Sequence, residues 1–367
     1  MFNGFYKNKR VLVTGHTGFK GAWLSLWLER LGAKVTGLSL AEDVSPSLYE
    51  LIPISSFARE FWCDLRQLEA TQRAVAEARP DFIFHLAAQS LVRRSYREPV
   101  ATFNTNVNGT IHLLEAVRQA RLNCPVLVIT SDKCYENTGQ ARSYQETDPL
   151  GGHDVYSMSK AAAELAVAAW RRSFFDTDDA LGPVATARAG NVIGGGDYAP
   201  DRLIPDAVRA LIASESLRLR NPGATRPWQH VLDCLSGYLW LGARLATAGK
   251  RSAFADAFNF GPGPGTDLSV AAVVGEFFKH WPGQWQDVSE GLHPYEAARL
   301  DLAINKAAEI LSWKPTWSVT EAIAATAQWY RARHEGRGED MLSYTSRQIE
   351  SFGDAACGRR QAWAVAQ

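Results

Sequence analysis

The sequence predicts an α/β fold: a doubly wound parallel sheet of the Rossmann type, followed by a smaller mixed α/β region. Three observations carry that expectation. Short β-branched apolar runs alternate with helical segments along the first half of the chain, and a glycine-rich turn joins the first strand to the first helix. After about Asn191 the alternation gives way to Gly- and Pro-rich stretches, "GGGDYAP", "NPGATRPW" and "GPGPGTD", interleaved with amphipathic helices.

The first strand is "VLVTG", ending at Gly15; "FKGAWLSLWLERLGA" then repeats apolar residues at helical spacing until Gly32 stops it. "KVTGL" (34–38), "DFIFHLA" (81–87), "PVLVIT" (125–130) and "PVATARAG" (183–190) read as further strands buried on both faces. "ATFNTNVNGTIHLLEAVRQA" and "YSMSKAAAELAVAAWRRSF" are helical, and further helices fall near 203–214, 231–247, 268–280 and 319–334. Residues 1–190 are thus expected to form a dinucleotide-binding domain, re-entered near 225–260, and 191–340 a substrate-binding region. Weak periodicity over 341–367 leaves a docked helix and a loose tail both open for this C-terminal extension.

A chain of 367 residues, 46% of them hydrophobic, can bury a large core. Basic and acidic residues number 39 each without long runs, which argues against nucleic acid or an anionic membrane and for a small molecule or protein partner. Cys63, Cys124, Cys134, Cys234 and Cys357 are widely spaced and form no metal-ligand cluster; they read as reduced thiols, with no metal expected. The N-terminal apolar run is too short for a signal segment or a membrane span, and the expected location is the cytoplasm.

"TGHTGFKG" spaces Gly15, Gly18 and Gly21 so that backbone N–H groups at a helix N-terminus can meet a pyrophosphate, with Thr17 and Phe19 in the same turn. A site that prefers NAD usually has an acid at the end of the second strand; here Ser39 stands there, with Glu42 and Asp43 a few residues on, so NAD and NADP both remain open. In "CDLR", Asp64 can accept from the adenine amino group or cap a helix.

Two further clusters are reactive. Tyr156 and Lys160 lie four apart at the start of a helix, hence on one face, where an ammonium would favour the phenolate and make Tyr156 a usable base. The strand in "VITSDKCYEN" delivers Ser131, Asp132 and Lys133 consecutively. Ser131 can complete an alcohol-oxidising triad with Tyr156 and Lys160.

"TGHTGFKG", "HLAAQS", "NTNVNGT", "TSDKCYEN", "YSMSK" and "RAGNVIGGGDYAPDRLIPD" together resemble the extended short-chain dehydrogenase/reductase family, in its sugar-nucleotide-modifying branch, over roughly residues 8–335. Within that branch the glycine loop and the Asp132–Lys133 pair are most similar to the 4,6-dehydratases acting on CDP-glucose. Those acting on dTDP-glucose and GDP-mannose carry Glu where Lys133 sits. The resemblance implies an NAD-dependent lyase: Tyr156 takes the C4 hydroxyl proton, hydride leaves C4, water is eliminated across C5/C6, and hydride returns to C6. Ser131 would orient the C4 oxygen, Asp132 protonate the departing C6 hydroxyl, Lys133 stand at the C5 base position, and Lys160 hold the ribose. It further implies Ala87 and Gln89 beside the nicotinamide ribose, Asn106 as a brace, and Asn191, Arg202, Arg226 and Arg299 on the sugar and diphosphate. A homodimer or dimer of dimers through helices 99–121 and 154–173, and a place in deoxysugar biosynthesis for lipopolysaccharide O-antigen, belong to the same implication. His85, after a buried strand, reads as a satisfied core histidine.

A 4-epimerase on this scaffold would use Ser131, Tyr156 and Lys160 but would have no elimination for Asp132 and Lys133 to run; a non-catalytic dinucleotide sensor would need neither set. An aspartate that donates a proton must hold one, and a lysine that accepts one must be neutral, the reverse of their ordinary states. Lys133 is therefore either a neutral C5 base or a cation that stabilises the enolate. Exchange of the C5 proton with D₂O separates the two roles: Lys133→Arg retains measurable exchange only if the charge is what counts, and Lys133→Met abolishes it if Lys133 is the base.

Overall fold

In the computed structural model, which describes residues 1–140, 142–263, 265–266, 268–290, 299–335 and 340–365, the apolar runs become a seven-stranded parallel sheet. Its strands are β1 (Arg10–Thr14), β2 (Lys34–Ser39), β3 (Arg59–Trp62), β4 (Phe82–His85), β5 (Val126–Ile129), β6 (Val184–Ala189) and β7 (Ala257–Phe260). Their spatial order is β7-β6-β5-β4-β1-β2-β3, with every neighbouring pair parallel.

The central strands β1, β4 and β5 are largely apolar because both of their faces are covered. Val11 and Val13, Phe82 and Phe84, Leu127 and Ile129 face one core, while Leu12, Ile83, Val126 and Val128 face the other. The main helices are α1 (Phe19–Arg30), α2 (Leu68–Ala78), α3 (Gly109–Gln119), α4 (Val155–Trp170), α5 (Leu203–Ile212), α6 (Val231–Ala248), α7 (Val270–His280), α8 (Val319–His334) and α9 (Met341–Gly358). Trp23 and Trp27 of α1 and Leu235 and Leu239 of α6 fill the first core. Val75 of α2, Leu113 and Val117 of α3 and Val167 of α4 fill the second.

Two strands lack a clear sequence signal. β3 is an edge strand of mixed burial, so it carries no apolar run, and β7 rejoins the sheet only after the long excursion through α5 and α6. The helix expected over 101–120 is broken by a π-helical turn, Asn104–Asn108, which is the kind of local widening that re-aims side chains. Outside the main sheet, 192–193 pairs with 229–230, 217–219 with 285–287, and 225–226 with 268–269. Pro264 and Asp267 of the Gly/Pro-rich stretch lie outside the described residues. Among the described residues no helix is long and apolar enough to cross a membrane.

Of the two possibilities for the C-terminal segment, the docked helix holds. α9 lays Phe352 against Trp27 (ring centroids 5.8 Å apart), Trp317 (5.0 Å) and Trp363 (5.7 Å). Trp363 stacks on Phe2 at 5.1 Å, and its carbonyl accepts the Phe2 N–H at 2.6 Å, so the two ends of the chain close over α1 together. Phe352 is wholly buried, and Phe352→Ala leaves a cavity in this cluster: a loss of about 3–5 kcal/mol is expected, read as a lower midpoint in urea unfolding.

Candidate active site

A cavity of about 680 Å³ opens at the carboxyl ends of the strands, beside the point where the order reverses between β1 and β4. Gly15 leaves β1 at φ +74°, and a Cβ there would lie 2.7 Å from Ala87 N. A Cβ on Gly21, in the first turn of α1, would lie 2.0 Å from Gly15 O. Only glycines let loop, helix and the segment after β4 approach so closely. What they leave is a cradle of bare backbone at the N-terminus of α1, which fits a pyrophosphate.

At one end of the cavity Thr17 Oγ1 donates to Leu40 O at 3.1 Å, which leaves Ser39 Oγ to donate to Thr17 at 2.8 Å. Glu42 lines this end; burial, and then the charge of Asp43, pushes its carboxyl up to about 7. Asp64 caps no helix, since Gln67 holds the N-cap of α2; its carboxylate instead binds Arg66, at 2.6 Å to Nη2, and is held below its usual range by that guanidinium. Leu65 lies beside it on the wall.

Further in, Ala87 and Gln89 line the cavity, and Asn106 braces Gln89 from outside it. Asn106 Oδ1 accepts from Gln89 N at 2.8 Å, and Nδ2 donates to Gln89 O at 3.0 Å and to Ser159 Oγ of α4 at 2.9 Å. The π-helical turn gives Asn106 this aim. His85 is a core residue, as its sequence context indicates: Nδ1 lies 2.7 Å from Thr14 Oγ1 and Nε2 3.0 Å from Thr110 Oγ1, and burial, then the Lys160 charge, lowers it to about 3.

Ser131, Asp132, Lys133, Tyr156 and Lys160 converge in the middle of the cavity. Ser131 Oγ donates to Asp132 Oδ1 at 2.9 Å and accepts from Lys133 N at 3.2 Å; Lys133 Nζ lies 3.5 Å from the same Asp132 oxygen. The Asp132 side chain is fully buried, Oδ2 finds no hydrogen-bond partner among the described residues, and a Cβ on Gly190 would lie 1.9 Å from that oxygen. Gly190 is thus the space into which the carboxyl fits.

The expected tuning of Tyr156 by Lys160 is not what the structure shows. Burial raises the Tyr156 phenol to about 12; a hydrogen bond with Ser131 and the charge of Arg202 pull it down, while Asp132 pushes it up. Lys160 is itself buried, and that burial, with Lys20 nearby, lowers its ammonium from 10.5 to about 8. Lys160 keeps its charge below about pH 8, yet burial, not that charge, is the largest influence on the Tyr156 phenol.

Asn191, Arg202 and Arg226 line the far half of the cavity. Arg202 is held by Asp197 at 2.8 Å and Ser90 at 2.9 Å, and Arg226 Nη1 donates to Thr225 O at 2.8 Å. Arg299 does not join them on the wall: its guanidinium pairs with Asp301, and its neighbour Leu300 lines the cavity instead. Sequence reasoning passed over Lys20, although it stands inside the glycine motif, and Arg218 and Arg220, which line the same cavity together with Leu217 and Leu219.

Residues 11–259 match the model of the NAD dependent epimerase/dehydratase family. The CDP-glucose 4,6-dehydratase of Salmonella typhimurium is 44% identical over 353 residues, covering 95% of this chain and 97% of that protein. A dTDP-glucose 4,6-dehydratase of Xanthomonas campestris pv. campestris is 27% identical over 87% of this chain and 92% of its own. Among solved structures, the dTDP-glucose 4,6-dehydratase of Streptomyces venezuelae with NAD bound superposes with a TM-score of 0.76 at 25% identity, covering 89% of this chain and 98% of that one.

The lowered Lys160 ammonium has a consequence for stability. Below about pH 8 folded and unfolded chains both carry the charge, and the fold bears its desolvation; between about 8 and 10.5 only the unfolded chain keeps the proton, so this group's contribution to stability rises with pH across that window. Lys160→Met is therefore expected to stabilise the cofactor-free protein at about pH 7 by about 3 kcal/mol, the gain fading towards pH 10, while abolishing turnover; thermal melts across that range check it.

Proposed function

The chain belongs to the NAD dependent epimerase/dehydratase family, and from that premise we propose that it converts CDP-D-glucose to CDP-4-keto-6-deoxy-D-glucose, as an NAD-dependent nucleotide-sugar 4,6-dehydratase. The observation that carries this reading is the Asp132–Lys133 pair, an acid and a base 3.5 Å apart, immediately after the serine of an alcohol-oxidising site. A 4-epimerase has no use for such a pair. The 44% identity to a protein named CDP-glucose 4,6-dehydratase favours CDP as the nucleotide.

The cradle formed by Gly15, Gly18 and Gly21 holds the NAD pyrophosphate, with Thr17, Phe19 and Ser39, and Asp64 with Leu65, towards the adenosine end; Ala87, Gln89, braced by Asn106, and Lys160 serve the nicotinamide ribose. Bound NAD supplies a hydride acceptor that is also the later donor, so no net redox change results. Tyr156 removes the C4 hydroxyl proton as that carbon is oxidised, and Ser131 holds the oxygen. The C4 ketone acidifies C5–H, which Lys133 faces, and Asp132 delivers a proton to the departing C6 hydroxyl from Oδ2, which has no partner among the described residues. Asn191, Arg202 and Arg226 hold the sugar and diphosphate, guanidinium groups suiting phosphate oxygens. In this division residues 1–190, with the return near 225–260, bind the cofactor, and 191–340 bind the nucleotide sugar.

A homodimer follows from the same reading: Val100, Met158 and Leu165 are 71%, 38% and 59% exposed on the helices expected to pair, with Met158 and Leu165 two turns apart on one face of α4. A cytoplasmic site of action and supply of a deoxysugar for lipopolysaccharide O-antigen complete the proposal.

Incubation with CDP-glucose in D₂O, followed by NMR, tests it. The expected product has deuterium at C5 and a methyl group in place of the C6 alcohol. A C4-inverted sugar, or no turnover, would overturn the reading.

A further inference from the structure

Behind the reacting residues lies a buried ion pair to which the chemistry above gives no task. Glu164 of α4 and Arg188 of β6 are 2.9 Å apart, with side chains only 3% and 5% exposed. Glu164 Oε1 accepts the hydroxyl of Thr130, and Oε2 accepts from Thr186 at 2.8 Å as well as from Arg188. Arg188 Nη1 donates to Tyr135 OH at 2.8 Å and to Glu146 O at 3.2 Å, and its guanidinium lies 5.0 Å from the centre of the Tyr135 ring. The Tyr135 hydroxyl is passed on to Asn259 Oδ1 of β7 at 2.7 Å.

The placement is specific. Thr130 immediately precedes Ser131, and Tyr135 follows Lys133 by two residues, so one ion pair grips the Ser131–Lys133 turn on both sides. Glu164 stands one helical turn beyond Lys160 and two beyond Tyr156, on the same face of α4. Charge-assisted hydrogen bonds are directional, and a buried pair is a weak source of stability; here both Glu164 oxygens and both terminal nitrogens of Arg188 are bonded to fixed partners, and only Arg188 Nε of that guanidinium has none among the described residues.

We propose that Glu164 and Arg188 form a positioning clamp that sets the Ser131–Asp132–Lys133 turn against the Tyr156–Lys160 face, so that oxidation at C4 and elimination across C5/C6 share one geometry. The clamp rests on the dehydratase reading. Neither residue touches the reacting atoms; both act through the residues they hold.

Two variants test it in the NAD-loaded full-length protein. Glu164→Gln keeps the shape and removes the charge; Thr130→Val removes one hydroxyl and leaves the pair intact. The clamp predicts that Glu164→Gln lowers kcat about tenfold or more with KM for CDP-glucose changed less than about threefold, because bound substrate is held elsewhere. It also predicts that reduced nicotinamide accumulates during turnover, read by absorbance, because elimination falls out of step with oxidation. Thr130→Val shows the same pattern, about threefold or more in kcat, with a melting temperature near that of the parent. If kcat falls only in proportion to the loss of folded, NAD-loaded protein, or both variants turn over at the parental rate, the pair is merely structural and the clamp is wrong. Parental turnover of CDP-glucose tests the functional reading separately: its failure removes that reading, and the clamp with it.

Discussion

The site depends on the reversal of strand order between β1 and β4. Because β2 and β3 lie to one side of β1, and β4 to β7 to the other, the chain leaving β1 and the chain leaving β4 diverge and open a crevice at the carboxyl ends of the strands. The contact that keeps the crevice narrow at its base is that of Gly15 with the backbone at Ala87, which no side chain at position 15 would permit. From that point α1 presents its N-terminus to the crevice, β5 leads through Thr130 into Ser131–Lys133, and α4 brings Tyr156 and Lys160 against them.

Around this crevice the protein holds charges and polar groups at a cost in stability. Lys160 is desolvated to the point where its ammonium is only marginally held, Tyr156 is pushed away from ionisation, and one oxygen of Asp132 is buried without a partner among the described residues. These are unfavourable terms for a fold, kept where polar groups line a cavity that can take up a ligand. The compensating stability lies elsewhere: in the two apolar layers over the sheet and in the aromatic cluster that α9 and Trp363 close around Trp27 and Phe2.

How much of this was legible in the sequence follows from how local each signal is. The glycine loop, the buried strands and the Tyr156–Lys160 spacing are set by neighbours a few residues apart, and they fold as their pattern indicates. β3 was hidden because an edge strand is only partly buried, and the π-helical turn at Asn106 because its sequence reads as plain helix. The docking of α9 depends on Phe2 and Trp27 at the other end of the chain, and the Glu164–Arg188 pair joins residues from different elements; neither has a local pattern. The resemblance places Arg299 on the ligand, yet Asp301, two residues on, takes its guanidinium. The tuning of Tyr156 also went differently, because burial acts on both members of the Tyr156–Lys160 pair and the sequence does not show how deeply each is buried.

The central claim is that one hydride leaves C4 and returns to C6 within a single closed site. CDP-glucose deuterated at C4, mixed with undeuterated CDP-glucose carrying a carbon label, would show this by mass spectrometry of the product. Internal transfer predicts that the deuterium lies in the C6 methyl of the same molecules that carried it at C4. Deuterium at C6 of the carbon-labelled molecules, or deuterium still at C4 of a product sugar, would contradict it.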